Sequence, residues 1–207
     1  HILARLQHEA DARGLPAVVM VFEPQPKEYF SRLFGKDLPP RLSPLRDKMR
    51  LISKIHPHIK GVNVRRFNSE FAAIAAQSFI DEVLIAQLNV KYLLIGDDFC
   101  FGAKRQGNFA LLQQQKAFVT ENTSSLMVES TRASSTVIRE ALGRGDLDLA
   151  ERLLGHPYVL SGHVKHGAKL GRTLGCPTAN VHLPPLMFPL SGVYVVEVMG
   201  SFGKRRG

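Results

Sequence analysis

At 207 residues the chain has room for one large or two modest domains, and its 44% hydrophobic and 22% charged content excludes a disordered or fibrous class. The net charge of +9 favours anionic partners such as nucleotides or phosphorylated cofactors, but no block of Lys and Arg interleaved with aromatics marks a dedicated nucleic-acid surface. Two cysteines, Cys100 and Cys176, build no disulfide framework and have no metal spacing, which fits a reducing cytoplasm; no apolar run nears the roughly 20 residues of a membrane span, and no signal peptide is visible.

His1–Arg13 has apolar residues at helical spacing (Ile2, Leu3, Leu6, Ala10), with Gly14 as its stop. Ala17–Phe22 (AVVMVF) is a continuous apolar run, the pattern of a buried parallel strand. Glu23-Pro24-Gln25-Pro26 ends it. Loops after the carboxyl ends of such strands are where open α/β sheets bind ligands, although two prolines can equally mark a plain turn. Lys27–Phe34 reads as a short helix, Gly35–Pro44 as a Pro-rich loop, Leu45–Lys54 as a helix and Gly61–Arg66 as a short strand. Phe71–Gln87 reads as one helix with Phe79, Ile80, Val83 and Leu84 on its apolar face, and Val90–Ile95 as a second buried strand. Strands alternating with helices predict a doubly wound α/β domain.

The second strand runs into Gly96-Asp97-Asp98-Phe99-Cys100-Phe101-Gly102, with Gly107 beyond. The glycines free the backbone, and Asp98 can accept from a ligand N–H or hydroxyl. Phe99 and Phe101 can cover a ring or fill the core; the frequency with which Phe is buried favours the core. Asn108–Gln115 continues as helix, and Ala117–Met127 is weakly patterned, a strand with a polar loop. Ser134-Ser135-Thr136-Val137-Ile138-Arg139 opens a helix running to Leu142. Hydroxyls there can be ordinary caps, or the helix start can hold a phosphate that Arg139 pairs. Asp146–Leu154 is a further short helix, broken by Gly155-His156-Pro157, where the domain boundary is placed.

From Tyr158 the pattern changes to short strands (YVLSGHV, NVHL and the alternating Gly192–Met199) around a glycine-rich loop, which suits a small antiparallel barrel. Within Ser161–Asn180, Gly162, Gly167, Gly171 and Gly175 recur every four or five residues beside Lys165, Lys169 and Arg172. Such a loop is either a basic surface loop or a backbone cradle for phosphate. Thr178 and Asn180, after the rigid Pro177, are neutral oxygen donors that suit a hard cation when a nucleotide supplies the other ligands. There are no internal repeats or low-complexity segments.

GHVKHGAKLGRTLGCPTANV, followed by Gly192-Val193-Tyr194, resembles the flavokinase signature of bacterial bifunctional riboflavin kinase/FAD synthetases, G-x-V-x-H-G-x-x-x-G-R-x-[LI]-G-[FY]-P-T-A-N. Cys176 stands where the family usually has an aromatic. FEPQP, GDDFCFG and SSTVIR resemble the motifs of that family's FAD synthetase half, in the family's order. The resemblance implies a Rossmann-like nucleotidyltransferase domain over 1–156 and a riboflavin kinase barrel over 157–207. It implies Mg²⁺-ATP as cosubstrate, riboflavin, FMN and FAD as substrates or products, and no nucleic-acid or membrane partner. Gly96, Asp98, Phe99, Gly102, Ser135, Thr136 and Arg139 are then expected at the adenylyltransferase nucleotide, with Arg139 stabilising phosphate. Gly167, Lys169, Gly171, Arg172 and Pro177 are expected at the kinase nucleotide, and Thr178 and Asn180 on the metal. His166 reads as a loop hydrogen-bonding residue or a catalytic one.

Both domains are expected to be truncated. The family's N-terminal histidine loop would precede His1, the kinase's general base would follow Gly207, and the Gln115–Ser134 segment is shorter than expected. Two other readings remain open: a single-activity nucleotidyltransferase for pantetheine phosphate or nicotinamide mononucleotide, which the flavokinase signature opposes, and a basic RNA-binding module.

Overall fold

The structure is a computed structural model describing residues 2–124, 126–167, 175, 178–183, 188–201 and 203–206. It divides into two units, His1–Pro39 with Ser43–Arg132, and Pro40–Leu42 with Ala133–Gly207.

In the first unit, helix α1 (Ile2–Arg13) ends at Gly14, whose φ of +62° suits glycine and closes the helix. Strand β1 (Ala17–Glu23) pairs in parallel with β2 (Ile59–Arg66), from Val18↔Gly61 to Glu23↔Arg66. The crossover carries α2 (Pro26–Leu33) and α3 (Leu45–Ile55). Pro26 suits the first turn of α2 because that N–H has no helical partner, and the Gln25 N–H donates to the Glu28 carboxylate. Strand β3 (Tyr92–Gly96) pairs in parallel with β4 (Val119–Thr123), and α6 (Phe109–Gln113) lies between them in the chain. Helix-connected parallel strands make this an α/β unit. A small antiparallel hairpin, β5 (Met127–Val128) with β6 (Thr131–Arg132), follows.

Two expectations change. The apolar run of β1 is not fully buried: only Ala17 is, and Val18 is 46% exposed. Among the described residues β1 bonds only to β2 and β3 only to β4, so neither has a strand on both sides to help bury it. The single helix predicted over Phe71–Gln87 is interrupted. It forms α4 (Ser69–Ala73), a turn α5 (Ala76–Ser78) and a π-helix (Phe79–Gln87), with Ile74 and Ala75 extended between. The cause is tertiary: the Ile74 carbonyl accepts from the Ala103 N–H at 2.7 Å instead of from its own helix.

The π-helix supplies the core. Phe79, Ile80, Val83 and Leu84 pack with Ile95, Phe101, Leu112 and Phe118. A continuous series of ring contacts links Phe67, Phe71, Phe79, Phe101 and Phe99.

The second unit contains α7 (Ser135–Gly143) and α8 (Leu147–Leu154), packed through Ile138, Ala141, Leu142, Ala150 and Leu153. Ser134 and Asp146 cap their N-termini, accepting from Val137 and Leu149 N–H groups. Gly155, φ +76°, closes α8 in the left-handed conformation. Two antiparallel pairs follow, β7 (His163–Lys165) with β8 (Asn180–His182) and β9 (Glu197–Gly200) with β10 (Gly203–Arg206). Among the described residues these are separate hairpins with no closed barrel. The predicted strand Gly192–Met199 begins only at Glu197; Val193 and Val195 are fully exposed, with no partner strand among the described residues to reward extension.

Candidate active sites

In the first unit, the loop after the carboxyl end of β3 holds Gly96, Asp98, Phe99 and Gly102 together. A Cβ on Gly96 would stand 3.4 Å from Oδ1 of the exposed Asp98, an ordinary contact, so packing alone does not require glycine there. Asp97 beside it pairs with Arg132 at 3.6 Å. Phe99 is half-buried and stacks on Phe101, with centroids 5.7 Å apart. Gly102 has a structural cause: its φ is +71°, and a Cβ would fall 2.6 Å from Cα of Ala76.

One cavity of this unit had no motif to announce it. About 280 Å³ is lined by Arg5, Phe109, Gln113, Thr120, Glu121 and Asn122. The Arg5 guanidinium donates to the Glu121 carboxylate and, at 3.2 Å, to the Asn122 carbonyl. Local spacing cannot reveal residues 116 positions apart. Nearby, the Arg13 guanidinium sits 4.3 Å from the Tyr92 ring centroid. Burial, then the neighbouring Glu121 carboxylate, pushes the Tyr92 hydroxyl pKa up to about 12.

In the second unit, α7 starts where the sequence predicts. Ser135 and Thr136 occupy its first turn and are exposed, leaving hydroxyls and terminal N–H groups open to an anion. Arg139 lies one turn on. Its Nε donates to the Pro40 carbonyl at 2.6 Å and its Nη1 to the Ser135 carbonyl at 3.1 Å. The guanidinium thus ties the Pro40–Leu42 segment to the start of α7, a role with no local sequence signal because Pro40 is 99 residues away.

The β7–β8 hairpin carries the remaining described residues. Lys165 is in register with Asn180, Val164 with Val181 and His163 with His182. A cavity of about 150 Å³ is lined by Val164, Lys165, His166, Gly167, Thr178, Ala179 and Asn180. A Cβ on Gly167 would fall 2.3 Å from Nδ2 of Asn180 but 3.8 Å from its Oδ1. The missing side chain therefore makes room for the carboxamide, and the oxygen is the end turned away. Thr178 and Asn180 bring neutral oxygens with no carboxylate, so they fit a hard cation only alongside a phosphate ligand. Among the described residues no cluster of three His, Cys, Asp or Glu is placed to hold a metal, and no helix is long and apolar enough to cross a membrane. Lys169, Gly171, Arg172, Cys176 and Pro177 lie outside the described residues.

The sequence model for FAD synthetase matches residues 1–137, and that for riboflavin kinase matches residues 154–205. The bifunctional riboflavin kinase/FMN adenylyltransferase of Haemophilus influenzae is 48% identical over 206 residues, covering 98% of this chain and 65% of that protein. Its namesake from Escherichia coli K12 is 47% identical over 203 residues, covering 96% and 63%. The chain thus spans less than two thirds of the length of these curated relatives. A crystal structure titled as a macrolide-efflux protein from Streptococcus pneumoniae superposes with a TM-score of 0.81 at 29% identity, covering 99% of this chain and 66% of that one. Matched over residues 1–137, with the kinase match behind it, the chain belongs to the FAD synthetase family and carries a riboflavin kinase segment.

Proposed function

We propose that the protein makes flavin cofactors in two ATP-dependent steps, riboflavin to FMN and FMN to FAD. One observation carries this reading: both family matches occur in one chain, which is 48% and 47% identical to two relatives named for both activities. We assign residues 1–156 to a Rossmann-like FMN adenylyltransferase domain and 157–207 to a riboflavin kinase domain of the antiparallel barrel type, acting in the cytoplasm on flavins and ATP.

In the transferase, a phosphate oxygen of FMN attacks the α-phosphorus of ATP, and the bond to the β-phosphate oxygen breaks, releasing pyrophosphate. Such reactions depend chiefly on positioning and charge stabilisation. Ser135, Thr136 and the first-turn N–H groups of α7 hold ATP phosphates, and Arg139 stabilises their charge. Gly96, Asp98, Phe99 and Gly102 form the adenosine side, with Asp98 as acceptor. In the kinase, a ribityl hydroxyl of riboflavin attacks the γ-phosphorus of ATP and gives up its proton, the bond to the β-phosphate oxygen breaks, and ADP leaves. Gly167, Lys169, Gly171, Arg172 and Pro177 shape the loop over the nucleotide. Thr178 and Asn180 would hold Mg²⁺, which when bound neutralises phosphate charge.

The test is a pair of substitutions in the intact protein. Asn180→Ala should abolish FMN formation while adenylylation of supplied FMN persists. Arg139→Ala should do the reverse. Loss of both activities from either substitution, in a protein that remains folded, would refute the two-site assignment.

A further inference from the structure

The loop after β3 contains a conflict between sequence and conformation. Lys104 (φ +53°, ψ +22°) and Arg105 (φ +59°) are consecutive left-handed residues. The Gln106 N–H donates to the Ala103 carbonyl at 3.3 Å, so the two form the centre of a type I′ turn. Such turns take Asn-Gly or Gly-Gly because both central residues need positive φ. A Lys-Arg pair is a poor choice on backbone grounds, since L-residues with long side chains disfavour this region.

The turn stands on a fixed base. Phe101 and Gly107 exchange backbone hydrogen bonds at 3.1 and 2.8 Å, and the Ala103 N–H is bound to Ile74. Gly102 is pressed against Ala76, and Gly107 lies against the buried Phe101 ring, which a Cβ there would approach to 2.5 Å. Both cationic side chains are exposed, and among the described residues neither makes an ion pair or side-chain hydrogen bond. An anchored base, a strained apex and two unpaired cations are what a preorganised anion site requires, and strain of this kind gathers at ligand clamps. A solvated turn would be better served by Asn-Gly.

We infer that Lys104 and Arg105 form a clamp for the phosphate groups of the transferase substrates, in the loop that also carries Gly96 and Asp98. The inference rests on the transferase reading above. Phosphate could come from the nucleotide's polyphosphate or from FMN, and the ligands tested separate these sources.

Two double variants of the intact protein are compared with the wild type by calorimetric titration with inorganic pyrophosphate, FMN and riboflavin, and by thermal melting. K104N/R105G relieves the turn and removes its charge; K104Q/R105Q removes charge but keeps the strain. Both should weaken the phosphate ligand by about ten- to a hundredfold, the loss expected for charged hydrogen bonds. Neither should change riboflavin binding. K104N/R105G should also melt about 5 °C higher, whereas K104Q/R105Q should not. Loss confined to pyrophosphate places the clamp on the nucleotide; loss confined to FMN places it on the flavin phosphate. Wild-type affinities in both variants, with FAD still formed, would overturn the clamp and leave the transferase reading intact. A wild-type protein that binds neither phosphate ligand and forms no FAD would overturn both.

Discussion

Gly167→Ala tests whether the kinase loop depends on one missing side chain. The backbone of Gly167 is outside the left-handed region, so alanine meets no conformational barrier there. The new methyl group would fall 2.3 Å from Nδ2 of Asn180 and 3.3 Å from its Cγ. Restoring ordinary contact requires the carboxamide to withdraw by about 1 Å. A ligand displaced that far from a reacting phosphate costs about a hundredfold in rate, or about 2.7 kcal/mol of barrier. Asn180 is exposed and can rotate away, so folding stability should change by less than about 1 kcal/mol. The assay is the initial rate of FMN formation across a Mg²⁺ series, beside a thermal melt. We expect a hundredfold-scale loss, a higher Mg²⁺ requirement and an unchanged melt. Replacing Asn180 by the shorter Ser in the same protein should recover part of the loss. A rate and Mg²⁺ dependence within about twofold of the wild type would refute the assignment of Asn180 to the metal.

Three further outcomes follow. Gly162→Ala meets backbone rather than a movable side chain, with its Cβ 2.4 Å from the His182 carbonyl oxygen; the β7–β8 pair should open, seen as faster amide exchange at Val181 and His182 and a loss of about 1–3 kcal/mol. Gly102→Ala combines a positive φ with a 2.6 Å approach to Ala76 Cα and should cost about 2–4 kcal/mol in chemical denaturation. Tyr92, with a pKa near 12 against an ordinary 10.0, keeps its proton in the fold where the unfolded chain has lost it. Stability should therefore fall as pH rises from about 10 to about 12 and be untouched below that window, and Tyr92→Phe should flatten this part of the curve.

Much of the local structure was legible because its determinants are local. Gly14 ends α1, Ser134 caps α7 and Gly155 closes α8, each through bonds within a few residues. The glycine spacing of the kinase loop predicts backbone pressed against a ligand; in the structure Gly162 and Gly167 lie against His182 and Asn180 of the paired strand, and Gly175 has no neighbour within 4 Å. What escaped was tertiary. The interruption at Ile74 exists because a loop residue nearly thirty positions later takes its carbonyl. The motif places Gly102 toward a ligand, and its conformation and contact with Ala76 by themselves suffice to require glycine. The hexapeptide points Arg139 toward phosphate but carries no sign of its bond to Pro40. The left-handed turn at Lys104-Arg105 was invisible because its residues carry no turn signal.

The central claim is that one protein performs both flavin steps. Incubating the intact protein with riboflavin, ATP and Mg²⁺, then separating the flavins by chromatography, tests it directly. Successive appearance of FMN and FAD is the predicted result. A folded, intact protein that stops at FMN, or forms neither flavin, would contradict it.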